Sequence, residues 1–404
     1  MVLNNIGLIH SNCGNLKKSM EVQLQAYRLR RKSNDKYSLA MSLYNLADLN
    51  NSLGNYTKAK EQFERSLILC EEIGHKYGIN YIYMNMGALE FHLGHTEKGI
   101  EYYHKALELN SELGNESGIG TCYGGLGEIY WELEELREAE DFYSKQVEID
   151  KKIGKKFDIL IGSHRLAVVT FFQGRVEEAL AFINAALDRS SGTKSPTFYI
   201  TALLSKAEMI SYLGDHSKAR NLYEEALSIA RENNLDRSIS LIQVLLLEET
   251  FFSNKESEIE KLKTLVFRSR RISYQRYRSI GRYWEHRGEF KKAIMYFNKA
   301  LSEKGLKLYR KRTDIELCLA GVCLKSKDRR GTRTHISKAG KYTEKYELNL
   351  NQWTILAYKY FLDGKSESLS AAENAFKDHL KNIPGKYQNY LKKKFKSLCE
   401  GRIT

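Results

Sequence analysis

Hydrophobic residues recur along the chain at helical spacing. Aromatic residues are followed three and four positions later by a small residue and an aliphatic one, as in Phe63 with Ser66-Leu67 and Tyr103 with Ala106-Leu107. Positions three and four apart share one face of an α-helix. The chain of 404 residues holds only two prolines, so little interrupts long helices. The pattern predicts an all-α protein whose helices each carry one apolar face.

The helical pattern repeats every 40 residues. The turns that mark this period are predicted at Gly14, Gly54, Gly94, Glu134, Gly174 and Gly214, and less regularly at Gly288, near Lys327 and near Gly364. A small residue stands seven positions before each turn, at Gly7, Ala47, Gly87, Gly127, Ala167, Ala207, Gly281, Ala320 and Ala357. A second turn closes each unit, at Asn34, Gly74, Gly114, Gly154 and Asn234. We therefore predict units of helix A, turn and helix B, which stack because a single hairpin cannot bury its apolar face.

These units resemble the tetratricopeptide repeat (TPR) family in its 40-residue form, as in kinesin light chains and Pins-type scaffolds. The resemblance implies a right-handed α-solenoid of about ten helix-turn-helix units. We expect a regular array over residues 1–235 and a degenerate repeat over 236–268, where Leu247, Asn254 and Ile259 replace small residues. Basic, irregular units with a C-terminal capping helix are expected over 269–404.

The first unit begins inside its helix A, because Gly7 occupies the eighth position of that unit. The first hairpin therefore lacks a helix cap and a polar cover. Three explanations stay open: an effector domain upstream in a longer parent protein, an internal start codon, or a frayed first helix.

Charge is unevenly distributed along the chain. Residues 1–150 hold 15 Lys and Arg against 22 Asp and Glu, whereas residues 251–404 hold 36 against 16. Arg271, Arg278 and Arg282 follow one another at helical spacing and form a candidate anion-binding face for an acidic partner or RNA. The alternative is that these basic residues form only a solvated surface.

Motifs for catalysis, metals and cofactors are absent from the sequence. It has no phosphate-binding GxxxxGK[ST] loop, GxSxG or HExxH, and no CxxC pair among its six cysteines. His92 and His95 are separated by a turn at Gly94 without a third metal ligand nearby. We therefore expect no enzymatic activity, metal or cofactor. The lack of an 18-residue apolar run predicts no membrane span, and the unpaired cysteines favour the cytoplasm.

The TPR resemblance implies a concave groove lined by the A helices. Positions three before, and one and four after, the small residue would point into it. The candidate groove residues are Asp48, Glu128 and Glu208, with the aromatic Phe91, Trp131 and Phe171. Asn5, Asn45 and Asn85 resemble the asparagines with which peptide-binding TPRs hold a peptide backbone. Such a surface suits an extended or helical peptide, although aromatic residues at this spacing also pack between units.

The function expected from these residues is protein binding. The chain would be a scaffold or the sensing arm of a cytoplasmic signalling assembly. The rivals are a nucleic-acid-binding solenoid that uses the basic C-terminal third and an enzyme whose catalytic domain was lost upstream.

Overall fold

The computed structural model describes residues 2–12, 15–190, 195–249, 270–302, 309–345 and 349–400. Within these ranges every regular element is helical, which confirms the all-α prediction. The helices are α1 Val2–Asn12, α2 Leu16–Arg30, α3 Lys36–Ser52, α4 Tyr56–Glu72, α5 Lys76–Leu93, α6 Thr96–Glu112, α7 Glu116–Leu133, α8 Leu136–Lys152, α9 Lys156–Phe172, α10 Val176–Ser190, α11 Pro196–Tyr212, α12 His216–Glu232, α13 Asp236–Glu249, α14 Arg270–His286, α15 Phe290–Ser302, α16 Tyr309–Lys325, α17 Arg329–Lys345, α18 Gln352–Asp363, α19 Ser366–Lys381 and α20 Gly385–Cys399. A short 3₁₀ turn, Asn349–Asn351, precedes α18.

Consecutive helices pack as hairpins. Helix A contacts helix B in the pairs α1/α2, α3/α4, α5/α6, α9/α10, α11/α12, α14/α15, α16/α17 and α18/α19. Helix B then contacts the next helix A, as in α2 with α3, α4 with α5, and α10 with α11. This is the stacking that the one-sided apolar pattern requires.

The predicted turns inside the hairpins have left-handed backbone geometry. Gly54 and Gly94 have φ of 79° and 90°. The amide after each glycine closes the end of helix A: Asn55 N donates to Asn50 O at 2.8 Å, and His95 N donates to Glu90 O at 2.8 Å. These are the six-to-one bonds of a Schellman cap, which glycine favours because it lacks a Cβ. The predicted turn positions from Gly54 onward are confirmed, and Gly14 lies outside the described residues.

The small residues of helix A lie against the aromatic residue of helix B in the same hairpin. A Cβ built on Gly87 would come within 2.8 Å of the Tyr103 ring, and one on Gly281 within 2.6 Å of the Phe297 ring. Ala47 is fully buried in the same core cluster as Phe63. The small side chains are therefore needed for close helix approach, as predicted.

The chain divides into two compact units, whose limits cut through α7 and α8. Unit 1 comprises residues 1–129 and 145–154, and unit 2 comprises residues 130–144 and 155–404. Of the segment expected to be a degenerate repeat, residues 236–249 form α13. Residues 250–269 lie outside the described ranges, so the expectation for them stays a prediction. Asn254 and Ile259 fall there.

The last three helices of unit 2 pack against its earlier repeats. One continuous apolar core joins residues of α9 to α13 with residues of α16 to α20. The amide of Glu177 donates to the carbonyl of Asn382 at 2.8 Å. A Cβ built on Gly214 would overlap the Tyr390 ring at 2.4 Å, so α20 lies directly on the turn between α11 and α12. The repeat period did not predict this contact.

Candidate functional site

Three predicted polar groove residues in unit 1 lie on α3 and α5. Asn45, Asp48 and Asn85 are all half-buried. Asn85 Nδ2 donates to the Tyr81 carbonyl at 2.8 Å and to the Tyr44 hydroxyl at 3.0 Å. Asn85 therefore holds Tyr44 of the preceding repeat in place, and the two A helices present one joined polar surface.

Asp48 carries the least compensated charge on this surface. It makes no hydrogen bond or ion pair with any described residue, and burial raises the pKa of its carboxyl. Burial raises the pKa of Tyr44 to about 12, and the negative charge of Asp48 acts in the same direction. Asp48 and Tyr44 are one helical turn apart, so they share a face of α3.

The other groove candidates of unit 1 differ in exposure. Phe91 is half-buried, with its ring 6.1 Å from that of His92. Glu128 on α7 and Asn5 on α1 are exposed. These three residues lie on three different A helices. The Asn85 to Tyr44 bond links residues of two successive A helices.

The candidates of unit 2 follow a different pattern. Trp131 is half-buried and its ring lies 5.6 Å from that of Phe172. Phe171 is only 7% exposed and packs edge-on against Tyr212 at 5.5 Å. Glu208 on α11 is exposed. Phe171 therefore contributes mainly to the core, which is the alternative that the spacing of the aromatic residues allowed.

The three arginines of the candidate anion-binding face have different surroundings. Arg278 Nε lies 2.5 Å from Asp314 Oδ2, and its side chain is only 15% exposed. Arg282 is exposed on the same helix, and the side chain of Arg271 lies outside the described part. The nearby Lys325 pairs with Glu285 at 3.1 Å. The charge of Arg278 is thus neutralised within the protein.

Lys394 of α20 is a basic residue that the sequence pattern did not single out from its charged run. Its Nζ lies 5.9 Å from the ring centroids of both Tyr212 and Trp353. Its pKa is lowered to about 8, chiefly by burial and also by the positive charge of Arg282, against an opposing effect of Asp314. Only the tertiary packing brings these two cations together. In the sequence, Lys394 is marked only by its place in the basic run Lys392 to Lys396.

A buried polar network lies beneath Lys394. The Tyr212 hydroxyl donates to the Leu350 carbonyl at 3.1 Å and lies 3.0 Å from His379 Nε2. Trp353 Nε1 donates to the same Tyr212 hydroxyl at 3.3 Å. Burial lowers the pKa of His379 to about 4, with a smaller contribution from the Lys394 charge. His379 is therefore neutral at physiological pH.

The described residues contain no group of three or more His, Cys, Asp or Glu side chains placed to hold a metal ion. Within the same ranges, none of the helices combines the length and apolar character that crossing a membrane would require. The described cysteines, Cys70, Cys122, Cys318, Cys323 and Cys399, are free thiols.

Residues 1–72, 78–152 and 158–232 match the family model of the tetratricopeptide repeat. The chain belongs to the tetratricopeptide repeat family, which confirms the resemblance inferred from its 40-residue period. Its fold class is the all-α solenoid of TPR type. No curated protein matches the chain in sequence.

Several solved structures share this fold. The apo form of the quorum sensor NprR from B. thuringiensis is 14% identical, with a TM-score of 0.60 over 74% of this chain and 86% of that one. A Rap protein complexed with Competence and Sporulation Factor is 14% identical, with a TM-score of 0.58 over 86% and 98%. The Rap conjugation gene regulator of plasmid pLS20, in complex with the Phr* peptide, is 14% identical, with a TM-score of 0.57 over 84% and 96%. At these identities the likeness is one of fold.

Proposed function

We propose that this protein binds a peptide or a segment of a partner protein on the A-helix faces of unit 1. The observation that carries the proposal is the joined surface of α3 and α5, where Asn85 fixes Tyr44 beside the unpaired Asp48. A half-buried carboxylate without a partner costs folding free energy, so a bound partner that supplies donors would compensate it. The role is non-catalytic: a scaffold or sensing arm in a cytoplasmic signalling assembly.

The structural neighbours support the class of ligand by analogy. The two Rap structures contain Competence and Sporulation Factor and the Phr* peptide, and NprR has also been solved with its cognate peptide NprX, with a TM-score of 0.52. A solenoid offers an extended surface rather than a closed pocket, and that geometry suits an extended or helical segment.

A displayed library of random heptapeptides tests this function. Wild-type protein should enrich a set of related sequences, and the double variant Asn45→Ala/Asn85→Ala should weaken their binding by at least tenfold. The charge reversal Glu128→Lys, at an exposed position, should also weaken it. Failure to enrich any peptide over successive rounds would contradict the proposal.

An acidic partner at the C-terminal third is the second candidate. It is favoured by Lys394, which has no carboxylate within ion-pairing distance among the described residues and lies in the field of Arg282. A single pair of cations suits one carboxylate of an acidic protein segment better than the repeated phosphates of RNA.

This second candidate is tested with a hexaglutamate peptide and a decauridylate, each titrated at several salt concentrations. Arg282→Gln/Lys394→Gln should abolish peptide binding, whereas the matched variant Lys392→Gln/Lys393→Gln removes two exposed charges from α20 and should retain it. Equal losses from both variants would indicate bulk charge alone. Stronger binding of the decauridylate would favour RNA instead.

A further inference from the structure

The polar surface of unit 1 contains two hydrogen-bond acceptors that lack a donor. Asp48 has no partner among the described residues. Asn51 Oδ1 is shielded from solvent and accepts no hydrogen bond from them. The two residues are three positions apart on α3, so their side chains lie on one face of the helix. Buried acceptors are nearly always satisfied in folded proteins, so the unsatisfied Asn51 Oδ1 beside the half-buried, unpaired Asp48 carboxylate is informative.

The surroundings show which chemistry would satisfy these acceptors. The amide of Asn85 is already committed, because both described hydrogen bonds of its Nδ2 go to Tyr44 and Tyr81. The Tyr44 hydroxyl accepts from Asn85, and its ring packs edge-on against Phe63 at 5.7 Å, so it forms a fixed wall. What this site lacks is a group with several N–H donors and a positive charge.

We propose that Asp48, Asn51 and Tyr44 form a subsite for a cationic side chain, arginine or lysine, of the bound peptide. The inference rests on the proposed function and specifies the charge of its ligand. A guanidinium offers five donors in a planar fork and an ammonium offers three, enough for the Asp48 carboxylate and for the Asn51 amide oxygen one helical turn away once the Asn51 side chain rotates to expose it. The charge complementarity comes from Asp48 itself, a half-buried carboxylate that forms no ion pair with any described residue.

The first test uses the random heptapeptide library. Peptides enriched on wild-type protein should share an arginine or lysine at one position, and selection on Asp48→Asn should lose that preference. Glu61→Gln is the matched control, because Glu61 is an exposed carboxylate on α4, away from α3. Enrichment of peptides without a common basic residue would overturn this inference and leave the proposed function standing. Enrichment of nothing would overturn both.

The second test locates the contact. In a synthetic copy of an enriched peptide, the basic residue is replaced by citrulline for arginine or norleucine for lysine. Wild-type protein should lose at least tenfold in affinity, and Asp48→Asn should lose less than twofold. Equal losses in the two proteins would place the basic residue elsewhere on the surface and refute the subsite.

The third test needs no peptide. If Asp48 is kept for binding, the isosteric Asp48→Asn should unfold at the same or a higher temperature than wild type, because it removes an uncompensated charge. Burial raises the pKa of Asp48, so its ionisation opposes folding, and the advantage of the variant should grow as pH rises above the ordinary aspartate range. A lower melting temperature for Asp48→Asn at neutral pH would assign Asp48 a structural role and overturn the proposal.

Discussion

Left-handed backbone conformations end most A helices and several B helices, and the residue found there varies. Glycine fills most of these positions, but Glu134, Asn234 and Lys327 also have positive φ, of 65°, 53° and 64°. A side chain in this region brings its Cβ close to the following carbonyl, at a cost of about 1–2 kcal/mol. Asn234 tolerates the region through its short polar side chain, whereas Lys327 is an exposed residue with no such compensation. The repeat places a turn at Lys327, although a lysine side chain disfavours the positive φ that this turn requires.

We predict that Lys327→Gly stabilises the protein by about 0.5–1 kcal/mol. The relief of backbone strain exceeds the extra entropy that glycine loses on folding. Gly288→Ala, at φ of 74° with open space around the added Cβ, is the inverse control and should destabilise by about 1 kcal/mol. Thermal unfolding followed by circular dichroism measures both changes. A lower melting temperature for Lys327→Gly would show that its side chain makes a stabilising contact.

At the scale of elements, the repeat extends to pairs of charges. Lys36 at the start of α3 pairs with Glu72 at the end of α4 at 3.0 Å, and Lys76 pairs with Glu112 in the next hairpin at 3.0 Å. The pair one period later has its signs exchanged, with Glu116 bound to Lys152. An ion pair between the start of helix A and the end of helix B is therefore retained in all three hairpins, although its charges are reversed in the third.

Because these pairs are exposed, each should contribute less than about 1 kcal/mol. Glu72→Lys should destabilise by a few tenths of a kcal/mol through repulsion from Lys36. The exchange Lys36→Glu/Glu72→Lys should restore most of that loss, as the natural exchange at residues 116 and 152 suggests. A double-mutant cycle from urea unfolding measures the coupling, which should vanish in 1 M salt. A coupling that persists at high salt would contradict the assignment to exposed charges.

At the scale of the molecule, unit 2 is held together by contacts between residues far apart in sequence. Tyr212 of α11 meets Leu350, Trp353 and His379 in one buried network. Lys394 covers the rings of Tyr212 and Trp353. The C-terminal helices thus cover the end of α11, an A helix that would otherwise face solvent. For this reason the surface proposed for peptide binding lies in unit 1.

Stability of unit 2 should fall with acid because His379 must be neutral when buried. Its pKa is lowered from 6.5 to about 4, so its contribution is fully present above pH 6.5 and is lost as the pH falls toward 4. The shift corresponds to about 3 kcal/mol. Tryptophan fluorescence during urea unfolding at pH 7 and pH 4.5 should show this loss in wild type and a smaller one in His379→Gln. His104→Gln, exposed on α6, should behave as wild type. An unchanged acid loss in His379→Gln would assign the effect to other groups.

The sequence alone determined what is local and periodic. The helices, the left-handed turns and the small residues facing an aromatic ring follow from residue types at fixed separations, because backbone geometry and helix contact distance depend on nearby residues. The same reasoning located Asp48 and Asn85 on the A helices. It could not show that Asn85 bonds Tyr44, or that Asp48 lacks a partner, since both depend on side-chain placement between helices.

Only the tertiary structure decided which distant groups meet. Arg278 looked like part of an open cationic face, but Asp314 neutralises it across two successive A helices. The packing of α20 places Lys394 5.9 Å from the Tyr212 ring and within the electrostatic influence of Arg282, an arrangement that no period of the sequence encodes. An amphipathic pattern shows which face of a helix must be covered, whereas what covers it is settled by burial of apolar surface over long sequence separations.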